Sequence, residues 1–341
     1  MNRTTEPLRI GILSFAHPHV EAYARSLLAR GVEVFGTDLT PYDAGTQRGA
    51  ELAERLGIEY LDDVDAVLAR APHGVIVTAE NARHRELALA AFAAGAHVLC
   101  EKPIATEPAD ALAMVEAADA AGVTLMTAYP VRFAPSFREL VARVRAGQFG
   151  EILAVSGTNN GKIPLDRSWF TNEAAAGGGA LVDHVVHCAD LLDELLGETA
   201  QEVYATANRI LHADRGVEVE TGGVVSIAYP SGVIATIDCS WSQPDSAATW
   251  GGLTLEVHGT RGSMRIDPFA AHISGYGTGG ATWDAFGSDL DELMIDEFLG
   301  AVGDSRAPVP DGSVGVRTLA VVDAAKRSVR SGLPEGVHAT A

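Results

Sequence analysis

With 341 residues, 47% of them hydrophobic, the chain is long enough for two domains with sizeable cores and too apolar for a disordered protein. Its formal net charge of −20 is spread along the chain and argues against non-specific binding of nucleic acid or an anionic membrane. Residues 1–7 lack the apolar core of a signal peptide, and the longest apolar stretch, 221–237, is broken by Pro230 and glycines. Cys100, Cys188 and Cys239 stand far apart in apolar settings, so the expectation is a cytoplasmic protein with buried thiols.

The first third alternates strand and helix. Strands are predicted at 9–13, 32–37, 74–78, 97–100 and 123–127, with helices at 20–30, 49–56 and 82–94. Another helix has Thr106 as its N-cap candidate, Pro108 in its first turn and Gly122 as its stop. Repetition of this kind builds an α/β domain around a doubly wound parallel sheet, assigned to residues 1–128. After Gly150 the pattern changes. A helix at 181–196 precedes short strands with hairpin signals at 222–229, 233–240, 253–258 and 263–266. Helices at 290–302 and 314–330 close the chain, and the tail from Leu333 is expected to be loosely held. This half, 129–333, reads as an α+β domain with a predominantly antiparallel or mixed open sheet.

In open α/β sheets ligands bind at the carboxyl ends of the strands. Lys102, in Glu101-Lys102-Pro103, follows directly on the strand 97–100. A lysine whose pKa falls on partial desolvation exchanges protons near neutrality, which suits acid/base work on an alcohol or ketone. The turn after the first strand is where a dinucleotide-binding glycine signature would lie, and it reads Ser14-Phe15-Ala16-His17-Pro18-His19, without the three glycines. Ser14 and Ala16 are small enough for a phosphate to approach, and the helix start offers amides, less one at Pro18. Asp38 ends the second strand about 20 residues further on, where a carboxylate accepts hydrogen bonds from ribose hydroxyls and repels a 2′-phosphate. NAD is thereby favoured over NADP.

Other polar residues fall at the same edge. Thr78 and Asn81 are placed to line a cofactor, and His84 to line it or to pack the next helix. Tyr129 and Arg132 follow the strand 123–127, where Arg132 suits a cofactor or substrate oxygen or a tie between the domains. Trp169 is a candidate for stacking on a sugar ring or nicotinamide. Gly177-Gly178-Gly179 leads into a helix on which Asp183 and His187, at i and i+4, share a face. A carboxylate beside an imidazole orients it and stabilises its protonated form, an arrangement suited to proton transfer. The same spacing suits two metal ligands, with His184 about 100° round the helix as a third candidate.

Glu101-Lys102-Pro103, Asn81-x-x-His84, Tyr129-x-x-Arg132-Phe133-x-Pro135, Gly147-x-x-Gly150 and Gly177-Gly178-Gly179 with Asp183 and His187 occur in a telling order. Over nearly the whole chain this set resembles the glucose–fructose oxidoreductase, inositol dehydrogenase and MocA (Gfo/Idh/MocA) family. The resemblance implies an N-terminal Rossmann domain, a C-terminal α/β domain whose open sheet forms a homo-dimer or homo-tetramer, a nicotinamide cofactor, and sugar or polyol substrates. It implies that Lys102 is the active-site lysine, that Asp183 and His187 are its Asp/His pair, and that the Lys102–Pro103 bond is often cis. The chain departs from the family pattern at Ser14, Ala16 and His19, at Val185 where glycine is usual, and at Pro130 where asparagine is common.

The expected function is NAD-dependent hydride transfer between nicotinamide and a secondary alcohol or ketone of a carbohydrate-like small molecule. Ser14 to His19 would meet the pyrophosphate, Asp38 the adenosine ribose, and Glu101, Lys102 and Trp169 the nicotinamide, with Thr78, Asn81, His84 and Arg132 as further cofactor residues. Lys102, Tyr129, Trp169, His184 and His187 would face substrate. His187, oriented by Asp183, or Lys102 would take the hydroxyl proton. Two alternatives are an NAD-retaining glycosidase-type lyase or hydrolase without net redox change, and a non-catalytic NAD- or sugar-binding sensor. No metal is expected; a metal-assisted variant would draw on His184, His187 and His17 or His19.

Overall fold

The computed structural model describes residues 7–39, 48–277 and 280–338, so the expectation for residues 1–6 lies outside it. The first sheet is built from β1 (Arg9–Leu13), β2 (Glu33–Thr37), β3 (Glu59–Tyr60), β4 (Gly74–Val77), β5 (His97–Cys100) and β6 (Leu125–Thr127). These six strands are all parallel, in the order β3-β2-β1-β4-β5-β6. The order reverses between β1 and β4, and the crevice at such a switch point is where dinucleotides bind. Helices α1 (Val20–Ala29), α2 (Ala50–Leu56), α3 (Val64–Ala69), α4 (His84–Ala93) and α5 (Pro108–Ala121) link the strands. With cores on both faces, Ile10 and Ile76 pack on one side and Val75 and Val98 on the other.

The cap of α5 corrects the sequence expectation: it is Glu107, in extended conformation, rather than Thr106. Pro108 takes the first helical position and forces its predecessor out of the helical region, which moves the boundary one residue on.

The second half contains α6 (Pro135–Arg145), β7 (Ile152–Gly161), α7 (Glu173–Ala176), α8 (Ala180–Leu196), β8 (Glu202–Asn208), β9 (Gly222–Ala228) and β10 (Ile234–Ser240). It continues through β11 (Gly251–Gly259), β12 (Gly262–Ile266), the hairpin β13 (His272–Gly277) and β14 (Gly280–Ala285), α9 (Leu290–Asp304), α10 (Gly312–Ser331) and β15 (Glu335–Gly336). Its seven-stranded sheet runs β12-β11-β7-β10-β9-β8-β15, parallel only between β7 and β10, and is therefore mixed. One face packs against α8 and α10 through residues such as Val185, Leu191, Val225, Ile237 and Val321. Tyr204, Val224 and Ile234 stand exposed on the other face.

The closing helices return to the first sheet. On α9, Met294, Ile295 and Phe298 join the core with Ile10, Ile12 and Tyr23, while α10 bridges α5, α8 and β8. The tail is held, contrary to expectation: Glu335 and Gly336 pair with β8, and Arg327 Nη1 donates to Glu335 Oε2 at 2.7 Å. Among the described residues no helix is long and apolar enough to cross a membrane.

Candidate active site

The turn leaving β1 keeps the path of a glycine turn without glycine. Ser14 lies in the left-handed region (φ 73°), which glycine enters at no steric cost. Its side chain offsets part of that strain, since Oγ donates to Asp38 Oδ1 (3.1 Å) and accepts from the Ala16 amide (3.3 Å). The other amides are also satisfied within the chain. Ser14 N donates to Thr37 O, Phe15 N to Asp38 Oδ1, His17 N to Thr78 O and His19 N to His17 Nδ1. The Phe15 ring is fully buried in the core beneath the turn, so only its backbone belongs to this edge.

Asp38 stands at the end of β2, clamped by a residue that the sequence did not single out. Arg48 Nε donates to Oδ2 at 2.6 Å, Nη2 to Oδ1 at 2.5 Å, and Nη1 to the buried Glu80 at 3.1 Å. Burial lowers the Arg48 pKa, but the Asp38 carboxylate outweighs it and raises the pKa overall.

At the end of β5 the Lys102–Pro103 bond is cis. Lys102 is only 5% exposed, and its Nζ donates to Asp183 Oδ1 at 2.8 Å and to Asp183 O at 3.3 Å. The glycines before α8 make this approach possible. A Cβ at Gly179 would lie 2.1 Å from Glu220 O, and Glu220 Oε1 accepts from the Gly179 and Leu181 amides at the helix start. Trp241 Nε1, just beyond β10, donates to Asp183 Oδ2 at 3.0 Å. Burial pushes the Asp183 pKa up, but Lys102 and His184 hold it well below the carboxylate range.

His187 is not held by Asp183, which corrects the predicted pair. Sharing a helical face brings the two close, but Lys102 and Trp241 draw the carboxylate away. The buried His187 Nδ1 has no hydrogen-bond partner, and its ring meets the edge of Tyr129 at 6.2 Å. Burial and the Lys102 charge press its pKa well below the usual imidazole value. His184 supports the site from inside instead of facing substrate. Its Nδ1 donates to Asn159 O at 2.6 Å, and its Nε2 lies 3.1 Å from Asp183 Oδ2 without hydrogen-bond geometry.

Glu101 is buried as an acceptor for three donors. Its Oε1 accepts from Tyr23 Oη at 2.6 Å and His19 Nδ1 at 2.9 Å, and its Oε2 from Lys102 N at 3.1 Å. Burial raises its pKa, yet His17, His19 and Lys102 win and hold it well below the usual value. For His19 the burial penalty is overcome by Glu101 and the pKa rises, whereas burial takes His17 well down.

Several predicted contacts are structural. The His84 ring nitrogens lie against Pro103 O (2.9 Å) and Ala79 O (3.1 Å), so it braces the lysine loop from behind instead of lining a cofactor. Arg132 spends its guanidinium on Asp190 (2.6 Å) and Glu194 (2.6 Å) of α8, so it ties elements of the second half to each other and does not join the two domains. Burial lifts the Asp190 pKa to about 6 despite that pairing. Tyr129 is buried with its hydroxyl on Thr318 Oγ1 at 2.7 Å and its ring against His187. Thr78 Oγ1 donates to Ser14 O, and Asn81 Nδ2 to Ala176 O. Trp169 donates to Ala16 O at 3.3 Å and stacks on Phe170 at 3.9 Å, so it covers the turn. Lys102, Asn81, Phe170, Gly179 and Asp183 line a pocket that is partly open to solvent.

A switch-point crevice, an acidic residue after β2 and a buried lysine at β5 define a dinucleotide-dependent oxidoreductase site. Residues 10–129 match the GFO/IDH/MocA model of the oxidoreductase family with an NAD-binding Rossmann fold, and 137–265 match the GFO/IDH/MocA C-terminal domain. The chain belongs to the Gfo/Idh/MocA family of NAD-binding oxidoreductases. It is 30% identical over 312 residues to a 1,5-anhydro-D-fructose reductase of Ensifer adhaerens, spanning 87% of this chain and 90% of that one. Over 224 residues it is 30% identical to a 2,7-anhydro-N-acetylneuraminate hydratase of Escherichia coli (strain K12), spanning 65% of this chain and 59% of that one. The structure of GenD2 from gentamicin A biosynthesis in complex with NAD superposes with a TM-score of 0.85 at 25% identity, covering 99% of this chain and 98% of that one.

Proposed function

We propose that the protein transfers a hydride between NAD and a secondary alcohol or ketone of a small sugar or polyol derivative. The observation that carries this is the Lys102–Asp183 ion pair, 2.8 Å long and buried at the carboxyl edge of β5, with the unpartnered His187 Nδ1 nearby. The curated relatives act on sugar derivatives by name, which supports the substrate class.

The chain fits a dinucleotide. Ser14 retains the glycine-turn path, Ala16 is small, and Asp38 ends β2 where a ribose would lie. Bound NAD supplies the hydride acceptor or donor. Asp38 holds the adenosine ribose, the 14–17 amides the pyrophosphate, and Thr78 and Asn81 the nicotinamide half. Each exchanges an internal hydrogen bond for one to the ligand. Lys102 holds the substrate oxygen and steadies the negative charge that grows as its proton leaves. His187, whose Nδ1 has no internal donor to release, accepts that proton. The open face of the second sheet, with Tyr204, Val224 and Ile234, forms a homo-oligomer contact.

A second reading follows from the hydratase relative. The same site oxidises its substrate transiently, lets a neighbouring carbon–oxygen bond eliminate or add water, and returns the hydride, leaving no net NADH.

Calorimetric titration with NAD tests the shared first step. Binding is expected, and Asp38→Ala weakens it about 10-fold or more, the scale of lost charge-assisted hydrogen bonds. Equal binding by wild type and Asp38→Ala contradicts the placement of the ribose.

A further inference from the structure

Two imidazoles converge on one carboxylate beside Lys102. His17 Nδ1 lies 3.6 Å and His19 Nδ1 2.9 Å from Glu101 Oε1, and one ligand atom from each of the three residues lies within 4.8 Å of the others. They come from separate elements, the turn after β1 and the end of β5. Glu101 is 1% exposed and His17 3%, while His19 at 33% leaves the cluster open on one side.

Hydrogen bonding accounts for only part of this arrangement. His19 and Tyr23 satisfy Glu101 Oε1 at 2.9 and 2.6 Å. At 3.6 Å His17 is too far for a hydrogen bond to it, and its Nδ1 accepts only the His19 amide at 3.3 Å. Zinc bonds of about 2.0–2.2 Å at tetrahedral angles put neighbouring donors about 3.3 Å apart. The two separations from Glu101, 2.9 and 3.6 Å, bracket that value.

We propose that His17, His19 and Glu101 bind a divalent transition-metal ion of the zinc type, leaving a fourth position for water or a ligand oxygen. Two imidazoles and a carboxylate suit Zn²⁺ or Co²⁺ over Mg²⁺ or Ca²⁺, which prefer all-oxygen shells. Tyr23 Oη, donating to Glu101 Oε1 at 2.6 Å and lying 3.2 Å from His19 Nδ1, holds the carboxylate in place beside the two imidazoles. The assignment concerns this cluster alone and does not depend on the substrate proposed above.

The test uses full-length protein without a polyhistidine tag, stripped with chelator and titrated with Zn²⁺ by calorimetry and with Co²⁺ by visible absorption. One equivalent of either ion per chain is expected, with intense d–d bands for Co²⁺ that Zn²⁺ abolishes. His17→Ala and His19→Ala each weaken binding more than ~10-fold, the lower bound known for outer-shell changes. His272→Ala, on the exposed hairpin, leaves it unchanged. Absence of stoichiometric uptake, or uptake that survives both His17→Ala and His19→Ala, overturns the site. If a variant melts unlike wild type, zinc-edge X-ray absorption of the loaded wild-type protein decides. Two imidazoles in the shell support the site, and none or one contradicts it.

Discussion

In the corner around Lys102 the distribution of protons governs both chemistry and stability. Asp183 and Glu101 are held ionised by their neighbours, while His17 and His187 are held neutral by burial. All four have folded pKa values below their unfolded ones. For each, the unfolded chain binds more protons as acid is added, so the stabilisation is full above the unfolded pKa and is lost as pH falls. Denaturant unfolding should show stability declining first below about pH 6.5, from the histidines, and again below about pH 4, from the carboxylates. His19, with its raised pKa, acts in the opposite sense and loses its contribution as pH rises through its folded value. Alcohol oxidation should likewise persist well below pH 6.5 before His187 protonates, and a steep loss centred at pH 6.5 or above would contradict its burial. Lys102, Asp38 and Glu101 were legible because each ends a strand that reads cleanly as apolar. Arg48, Glu80, Trp241 and Asn159 were not, because their partners lie up to 58 residues away, as for Trp241 on Asp183. His84 packs at the start of α4, as the sequence allowed, whereas the partners of Arg132 and Tyr129 come from packing rather than spacing.

Among the elements, a buried face was not enough for prediction: α6 and β8 bury Phe137, Leu140, Val203 and Ala205 in the second core and were missed. β4 and β5 read as unbroken apolar runs because both faces are covered. β7 was missed although it joins the two halves of the second sheet. Its sequence Ile-Leu-Ala-Val-Ser-Gly-Thr-Asn-Asn-Gly looks like a turn, since one face is open and its inner face includes glycine under Cys188. The closing helices were expected to pack back on the first domain, and α9 joins the core of the first sheet. Phe298 on α9 is fully buried, and its ring would lie 2.9 Å from a Cβ at Gly74, so the first sheet has a tailored groove for it. Phe298→Ala should cost about 3–5 kcal/mol, read as a lowered denaturation midpoint with unchanged slope. A change under 1 kcal/mol would show α9 to be only loosely applied.

For the whole molecule, the overall architecture followed from the alternation of elements, whereas the contacts that line the crevice did not. Self-satisfied amides, an Arg48 clamp and Trp169 over the turn all belong to tertiary structure. The uncovered sheet face bears on assembly. Light scattering should find a dimer or tetramer, and Val224→Asp with Ile234→Asp should release monomer; a wild-type monomer would contradict that face as the contact. The central claim is net hydride transfer at Lys102. The direct measurement is nicotinamide absorbance when the protein meets NAD at ~1 mM, the top of the usual KM range, with a panel of sugars, inositols, sugar acids and anhydro-sugars. NADH formation is expected with at least one of them, reduced ~10²–10⁴-fold in Lys102→Ala. Absence of NADH across the panel, or equal rates in wild type and Lys102→Ala, would contradict it.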